Sequence, residues 1–251
     1  MLKVRVIPTL LQKDLGLVKG VRFRSDRRVG GALQAIKVYN RRGVDELVYF
    51  DISASLAGRP PDFNQIDELA DECFMPLTVG GGVRTVADIQ NLLAVGADKV
   101  AVNTWAIETP ELISEAASRF GVQCVVAAID VRRQAEGWQV YARCGQEPTG
   151  LDPVGWALRC ERLGAGEILL TSIDRDGTMQ GYDLEIIRQV TAAVSIPVVA
   201  SGGAGSYDHM VAACLEGGAS AVAAASIFHF TEMTPREAKL ALRAQGLPVR
   251  L

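Results

Sequence analysis

Asp130 ends an apolar run, Val125-Val126-Ala127-Ala128-Ile129, and a carboxylate in that position can accept or donate a proton. The surrounding pattern occurs twice, the copies lying about 121 residues apart, and they differ at this point. Where one copy has Asp130, the other reads Pro8-Thr9-Leu10-Leu11. Leucine transfers no proton, and Gln12 and Asp14 lie farther along the next loop. A site built on two facing carboxylates, one acid and one base, would here keep only one. The alternative role for Asp130 is a salt bridge to Arg132 or Lys19. Asp51 also ends a strand candidate and could bind ligand or orient Lys19, although its register differs.

The rest of the repeat points to anion binding. In the first copy Glu46–Ile52 is followed by Thr78-Val79-Gly80-Gly81-Gly82-Val83 and then by Gly96–Thr104. In the second, Glu167–Ile173 leads to Ala200-Ser201-Gly202-Gly203-Ala204 and then to Gly218–Ser226. Glycine lets backbone N–H groups approach an anion closely, and a helix start adds donors. Gly81, Gly82, Asn103 and Thr104 are therefore phosphate candidates in one half. Asp176, Gly177, Gly202, Gly203, Ala225 and Ser226 are the candidates in the other. The structural alternatives are tight turns at the glycines, a helix cap at Asn103 and a turn at Ser226. His209 and His229 read as structural or exposed residues.

Short β-branched runs alternate with amphipathic ones along the whole chain. Strands are expected at 4–10, 46–52, 76–79, 99–102, 124–130, 167–173, 197–201 and 221–225. Helices are expected near 32–42, 65–73, 86–95, 111–119, 152–163, 184–191, 207–217 and 235–245. Several strands are almost wholly apolar, as parallel strands covered on both faces must be. Asp152-Pro153, Thr109-Pro110 and Thr234-Pro235 read as cap and first-turn pairs. Eight βα units with two matching halves predict an α/β fold, a (β/α)8 TIM barrel built from duplicated half-barrels, over a single domain 1–251. A doubly wound open sheet is the rival, and it does not predict the repeat. The segment 12–31, rich in Gly, Lys and Arg, is expected to be a mobile lid. Segment 131–150 is expected to hold a hairpin with 139–142 as one arm.

Composition narrows the partners. A formal charge of -3 spreads no basic field for nucleic acid, and the tryptophans offer no stacking platform for a strand of bases. Five cysteines without ligand spacing, and only two histidines, imply no metal site and fit reduced thiols in the cytoplasm. No cofactor is implied. The start, with Lys3, Arg5 and Pro8, reads as a first strand rather than a signal peptide, and no apolar run is long enough for membrane insertion.

Six motifs together resemble the cyclase subunit family of imidazole glycerol phosphate synthase, the histidine-biosynthesis barrel, over essentially the whole chain. They are Asp45-Glu46-Leu47-Val48, Val79-Gly80-Gly81-Gly82, Gly96–Val100, Ala128-Ile129-Asp130, Leu170–Thr178 and Ser201–Gly205. The resemblance implies a substrate with two phosphates and a glutaminase partner. That partner, forming a heterodimer, would dock on the amino-terminal face of the barrel and send ammonia through it. Arg5, Glu46, Lys99 and Glu167 match the family's charged gate, and each lies at the start of a strand candidate. Asp98 and Gln123 match residues near the partner interface. A plain structural ring of salt bridges is the alternative for the four charges.

The family's catalytic pair is two aspartates at the ends of strands 1 and 5; Asp130 matches the second and Leu11 replaces the first. Lys19 and Thr171, the other catalytic candidates, are retained. The start Val6–Leu11 with Gly16–Lys19 is similar to a branch associated with amidation or amidination of lipopolysaccharide O-antigen sugars. That branch works with a glutaminase and a separate sugar amidotransferase. The resemblance implies ammonia handling with altered or absent cyclase chemistry and a phosphorylated or nucleotide-linked ligand. The alternatives are an ordinary cyclase subunit of histidine biosynthesis and a non-catalytic scaffold for a glutaminase.

Overall fold

The computed structural model describes residues 3–14 and 16–251. Twelve strands occur among them, in chain order β1 (Arg5–Lys13), β2 (Gly16–Val21), β3 (Arg24–Gly30), β4 (Leu47–Asp51), β5 (Leu77–Gly80) and β6 (Lys99–Val102). They continue with β7 (Val125–Gln134), β8 (Gly137–Ala142), β9 (Glu147–Pro148), β10 (Glu167–Ser172), β11 (Val198–Ser201) and β12 (Ala221–Ala224). Eight of these, β1, β4, β5, β6, β7, β10, β11 and β12, pair in parallel. The β7–β10 ladder closes the circle. An open sheet would leave two edges, so the doubly wound alternative is excluded and the (β/α)8 barrel stands.

Helices cover the outside. α1 (Ala32–Arg42), α2 (Phe63–Ala70), α3 (Val86–Ala94), α5 (Glu111–Phe120), α6 (Pro153–Leu163), α7 (Leu184–Ala193), α8 (Tyr207–Leu215) and α10 (Pro235–Ala244) fall where the amphipathic runs do. Two short helices, α4 (Thr104–Glu108) and α9 (Ser226–Phe230), were not anticipated; at five residues each they are too brief to show a period. Asp152 caps α6 by accepting from the Gly155 N–H, with Pro153 in the first turn. Thr234 and Glu237 form a reciprocal capping box on α10. The Thr109-Pro110 expectation is corrected, because Pro110 is itself the N-cap of α5 and no side chain caps that helix.

The apolar residues form two layers. The larger joins the outward faces of the strands to the helices. The smaller fills the barrel axis with Ile7, Val48, Ala101, Val126, Leu169, Val199, Ala221 and Ala223. Segment 12–31 is not an irregular loop: β1 runs on to Lys13, and β2 and β3 form an antiparallel hairpin on its end. The hairpin turns at Arg22-Phe23, both with positive φ, without the glycine or asparagine that usually signals such a turn. The hairpin expected in 131–150 is present as β7–β8, with β9 added.

Candidate functional site at the carboxyl ends of the strands

Register shows how the duplication places the chemistry. Asp130 on β7 stands beside Thr171 on β10, and Leu11 on β1 stands beside Phe50 on β4. Leu11 therefore occupies in the first half the place that Asp130 holds in the second, and Phe50 the place of Thr171. Both positions open into one cavity of about 560 Å³ at the carboxyl ends of the barrel strands. That volume falls within the roughly 300–1,000 Å³ of small-molecule sites. Lys19, Asp130, Thr171 and all ten phosphate candidates line it.

Asp130 is enclosed by protein except where it meets the cavity. Burial, reinforced by the charge of Asp176, pushes its carboxyl up to about 7, against the lowering effect of a Thr171 hydrogen bond. An acid so placed is half-protonated near neutral pH, which suits general acid or base work. Neither proposed salt bridge to it forms. Lys19 instead pairs with Asp176 at 2.5 Å, and Arg132 donates to the Gly145 carbonyl while stacking on Tyr141. Asp51 does not orient Lys19. It accepts from Ser53, the Ala54 N–H and Arg59, and so shapes the loop after β4.

Two phosphate candidates are engaged with the protein itself. The Asn103 side-chain amide donates to Asp130 Oδ2 at 3.0 Å and to the Tyr141 carbonyl at 3.4 Å, which leaves its Oδ1 buried without a partner. Thr104 Oγ1 accepts the Arg143 N–H. Asn103 is thus the neighbour that positions Asp130, although its backbone still borders the cavity. Asp176 contributes its carboxylate to Lys19, leaving its turn with Gly177 as the part that can face an anion. Gly81 and Gly202 repeat one geometry. Their φ values are 104° and 88°, and an added Cβ would lie 2.2 Å from the Asp51 oxygen and 2.6 Å from the Ser172 oxygen. Both sites need glycine because the backbone at the end of the preceding barrel strand lies where a side chain would begin.

At the opposite end of the barrel the four gate candidates close a ring. Arg5 bonds Glu46 at 2.8 Å and also bonds Glu167, while Lys99 bonds Glu46 at 3.0 Å and Glu167 at 2.9 Å. Burial alone would favour neutral groups. The ion pairs outweigh it, holding the Glu167 carboxyl below its ordinary range and the Arg5 guanidinium above its own. The apolar axis layer separates this ring from the cavity. Asp98 and Gln123 are exposed on the same end; Asp98 accepts the Leu77 N–H and Gln123 donates to the Phe120 carbonyl.

Sequence reasoning missed part of the cavity wall. Phe23 from the β2–β3 turn and Cys144 from the β8–β9 turn both line it, as do Thr9, Leu56 and Trp105. Thr9 Oγ1 is buried without a partner. The inward alternation of β1, which carries Thr9 and Leu11 on one face, was the available signal for Thr9. His229 is half-buried and hydrogen-bonded to the Thr9 carbonyl at 3.2 Å and the Tyr39 hydroxyl at 3.4 Å, so it braces β1; burial lowers its pKa.

A closed parallel barrel with a cavity at the carboxyl ends of its strands, walled by the loops that follow them, defines the class of (β/α)8 barrel proteins with their site on that face. Within that class the chain belongs to the histidine biosynthesis protein family, whose model matches residues 5–234. No helix among the described residues is long and apolar enough to cross a membrane.

Proposed function

We propose that this chain is an ammonia-channelling, cyclase-like barrel that works with a glutaminase and serves the amidation or amidination of a lipopolysaccharide O-antigen sugar. The observation that carries the reading is the alignment of two unlike ends. A closed ring of Arg5, Glu46, Lys99 and Glu167 lies at the amino end, and a cavity holding Asp130 but Leu11 in place of a second carboxylate lies at the other. The ring is a charged plug at the end of the barrel axis; a neutral molecule as small as ammonia passes it when one pair swings aside and then crosses the apolar axis layer to the cavity. Asp98 and Gln123, exposed beside it, belong to the docking face for the glutaminase. A separate sugar amidotransferase is the expected consumer of the nitrogen.

In the cavity, Asp130 moves the proton, Asn103 holds its carboxylate in place, and Thr171 is positioned to donate to it or to the ligand. Lys19 with the Gly177, Gly202 and Ser226 segments receives one anionic group, and the Gly82–Thr104 region receives another. Losing a positioned acid or base commonly costs 10²–10⁴-fold in rate, so the barrel lacks efficient cyclase chemistry. The protein acts in the cytoplasm, where its substrates are made.

The test supplies the purified chain with ammonium salt and the ribonucleotide substrate of imidazole glycerol phosphate synthase, and separately with a glutaminase subunit of the same synthase type. Little or no imidazole glycerol phosphate, together with stimulated glutaminase, is the expected result. Turnover at the rate of a two-aspartate enzyme would replace this reading with an ordinary cyclase of histidine biosynthesis. The Leu11→Asp variant then asks whether the remainder of the site is intact, since a gain in cyclase turnover needs every other group in place.

A further inference from the structure

Two lysines are buried among the described residues: Lys19 in the cavity, and Lys239, 3% exposed, on α10. Lys239 Nζ lies 2.8 Å from Asp45 Oδ1 and donates to the Gly43 carbonyl at 2.7 Å. Burying an ammonium is costly, and α10 has other means of docking. Ala238 and Leu242 are fully buried beside it, and Val249 beyond the helix bridges Val4 ahead of β1. What the ion pair secures is therefore to be sought at Asp45.

The β1–β4 ladder runs from Thr9–Val48 to Gln12–Asp51 and stops short of the amino end. Below it a side chain ties the two strands: Asp45 Oδ2 accepts the Val6 N–H at 2.9 Å. Asp45 immediately precedes Glu46, and Val6 immediately follows Arg5. One carboxylate thus fixes the backbone on both sides of the Arg5–Glu46 bond of the ring. In the second half the residue before Glu167 is Gly166, whose N–H donates to the Val125 carbonyl, so backbone alone makes the tie there. The first half uses a charged side chain for it, and that side chain is 7% exposed. Such a carboxylate needs a counter-charge, which Lys239 brings from the far end of the sequence.

We infer that Lys239 is a positioning residue for the charged ring: through Asp45 it holds the Arg5–Glu46 edge in place where the β1–β4 ladder has ended. Its part in an ammonia gate rests on the proposed function, whereas its part in the ring is geometric and can be read from the ring itself.

Carboxyl NMR titration of Lys239→Met tests it through three glutamates whose pKa values lie below the ordinary range. For Glu167 in the ring, burial acts upward and is outweighed by Arg5 and Lys99. Glu237, on α10 itself, is held down by Tyr207 and Thr234, and Glu161 on α6 by Ser195 and Ile196. Without the lysine, Asp45 is buried with no counter-charge, its hold on Val6 slackens, and Arg5 loosens from Glu167. The Glu167 midpoint should rise toward the ordinary carboxylate range by about half a unit or more, while Glu237 and Glu161 stay where they are. Lys239→Arg keeps the charge and should keep Glu167 near its wild-type midpoint. If Lys239→Met does not fold, Lys239→Gln, which can still donate to the Gly43 carbonyl, carries the same expectation. An unmoved Glu167 would overturn the inference. So would Glu167 and Glu237 moving together, which would mean that the lysine only docks the helix, or Lys239→Arg moving Glu167 as far as Lys239→Met does. A wild-type chain that fails to stimulate a glutaminase would overturn the ammonia reading and leave this positioning intact.

Discussion

Gly81 in the first half turns against the carbonyl of Asp51, and Gly202 in the second turns against that of Ser172; the side chains carried by these matched backbones are not alike. At the carboxyl end the first half offers Leu11 and Phe50 where the second offers Asp130 and Thr171. At the amino end the asymmetry reverses. The two acids, Glu46 and Glu167, are equivalent across the repeat, but both bases, Arg5 and Lys99, come from the first half; their counterparts are Cys124 and Ala221. Duplication therefore accounts for the scaffold, and departures from it account for the chemistry. The first half supplies the cations that close the amino end, and the second supplies the proton carrier at the other.

The strongest test of the shared scaffold is to add one methyl group to each half. Gly81→Ala and Gly202→Ala both force a side chain at positive φ into a backbone oxygen, and each should destabilise by about 3 kcal/mol or more. Thermal unfolding should show both variants down by similar amounts. A harmless substitution in one half only would mean that the two turns are not equivalent.

Next in size is the ring. Glu167→Gln leaves Arg5 and Lys99 sharing a single acid, at a cost of roughly 1–3 kcal/mol near neutral pH, moderated by the partial exposure of the ring. The Glu167 pKa is depressed in the folded state, so its contribution is present above the ordinary carboxylate range and is lost as pH falls through the folded value. The gap between wild type and variant should therefore narrow in acid. A gap that stays constant from pH 7 down to about 3 would show that the ring contributes through shape rather than charge.

Asp130 titrates with the opposite sign. Its folded value of about 7 lies above the unfolded one, so the protonated form stabilises the fold and that contribution is lost as pH rises through 7. Asp130→Asn should be more stable than wild type at pH 8, by a few degrees in Tm, with the difference disappearing toward pH 4. Parallel pH profiles for the two proteins would contradict the raised value, and with it the general-acid role.

Much of this was legible beforehand, for identifiable reasons. Barrel strands announce themselves as apolar runs because both faces are covered, and the ring was legible through the family resemblance, supported by the place of each charge at or near the start of a strand candidate. The hairpin was not legible. β3 reads Arg-Ser-Asp-Arg-Arg-Val-Gly, a polar strand with no partner beyond β2, so no alternation marks it. The Asn103–Asp130 bond escaped for another reason. Asn103 sits at the end of its own strand in a phosphate-like motif, and only the neighbouring strand's register brings the carboxylate within 3.0 Å of it. Residues such as Phe23 and Cys144 arrive on turns from different parts of the chain, and local pattern carries no record of where two turns meet.

The smallest effect comes from restoring symmetry at Leu11. It lies half-buried on the cavity wall, so Leu11→Asp removes little packed surface and should cost about 1 kcal/mol or less. Its informative consequence is electrostatic. Two carboxylates facing one cavity cannot both ionise freely, so Asp130, already raised by Asp176, should move up by a further unit or less. Leu11→Asn matches the shape without the charge and should leave Asp130 where it is. Carboxyl NMR titration of the three proteins decides the matter. If Asp130 has the same midpoint in all of them, positions 11 and 130 do not share a cavity in solution, and the one-carboxylate reading of the site loses its geometric basis.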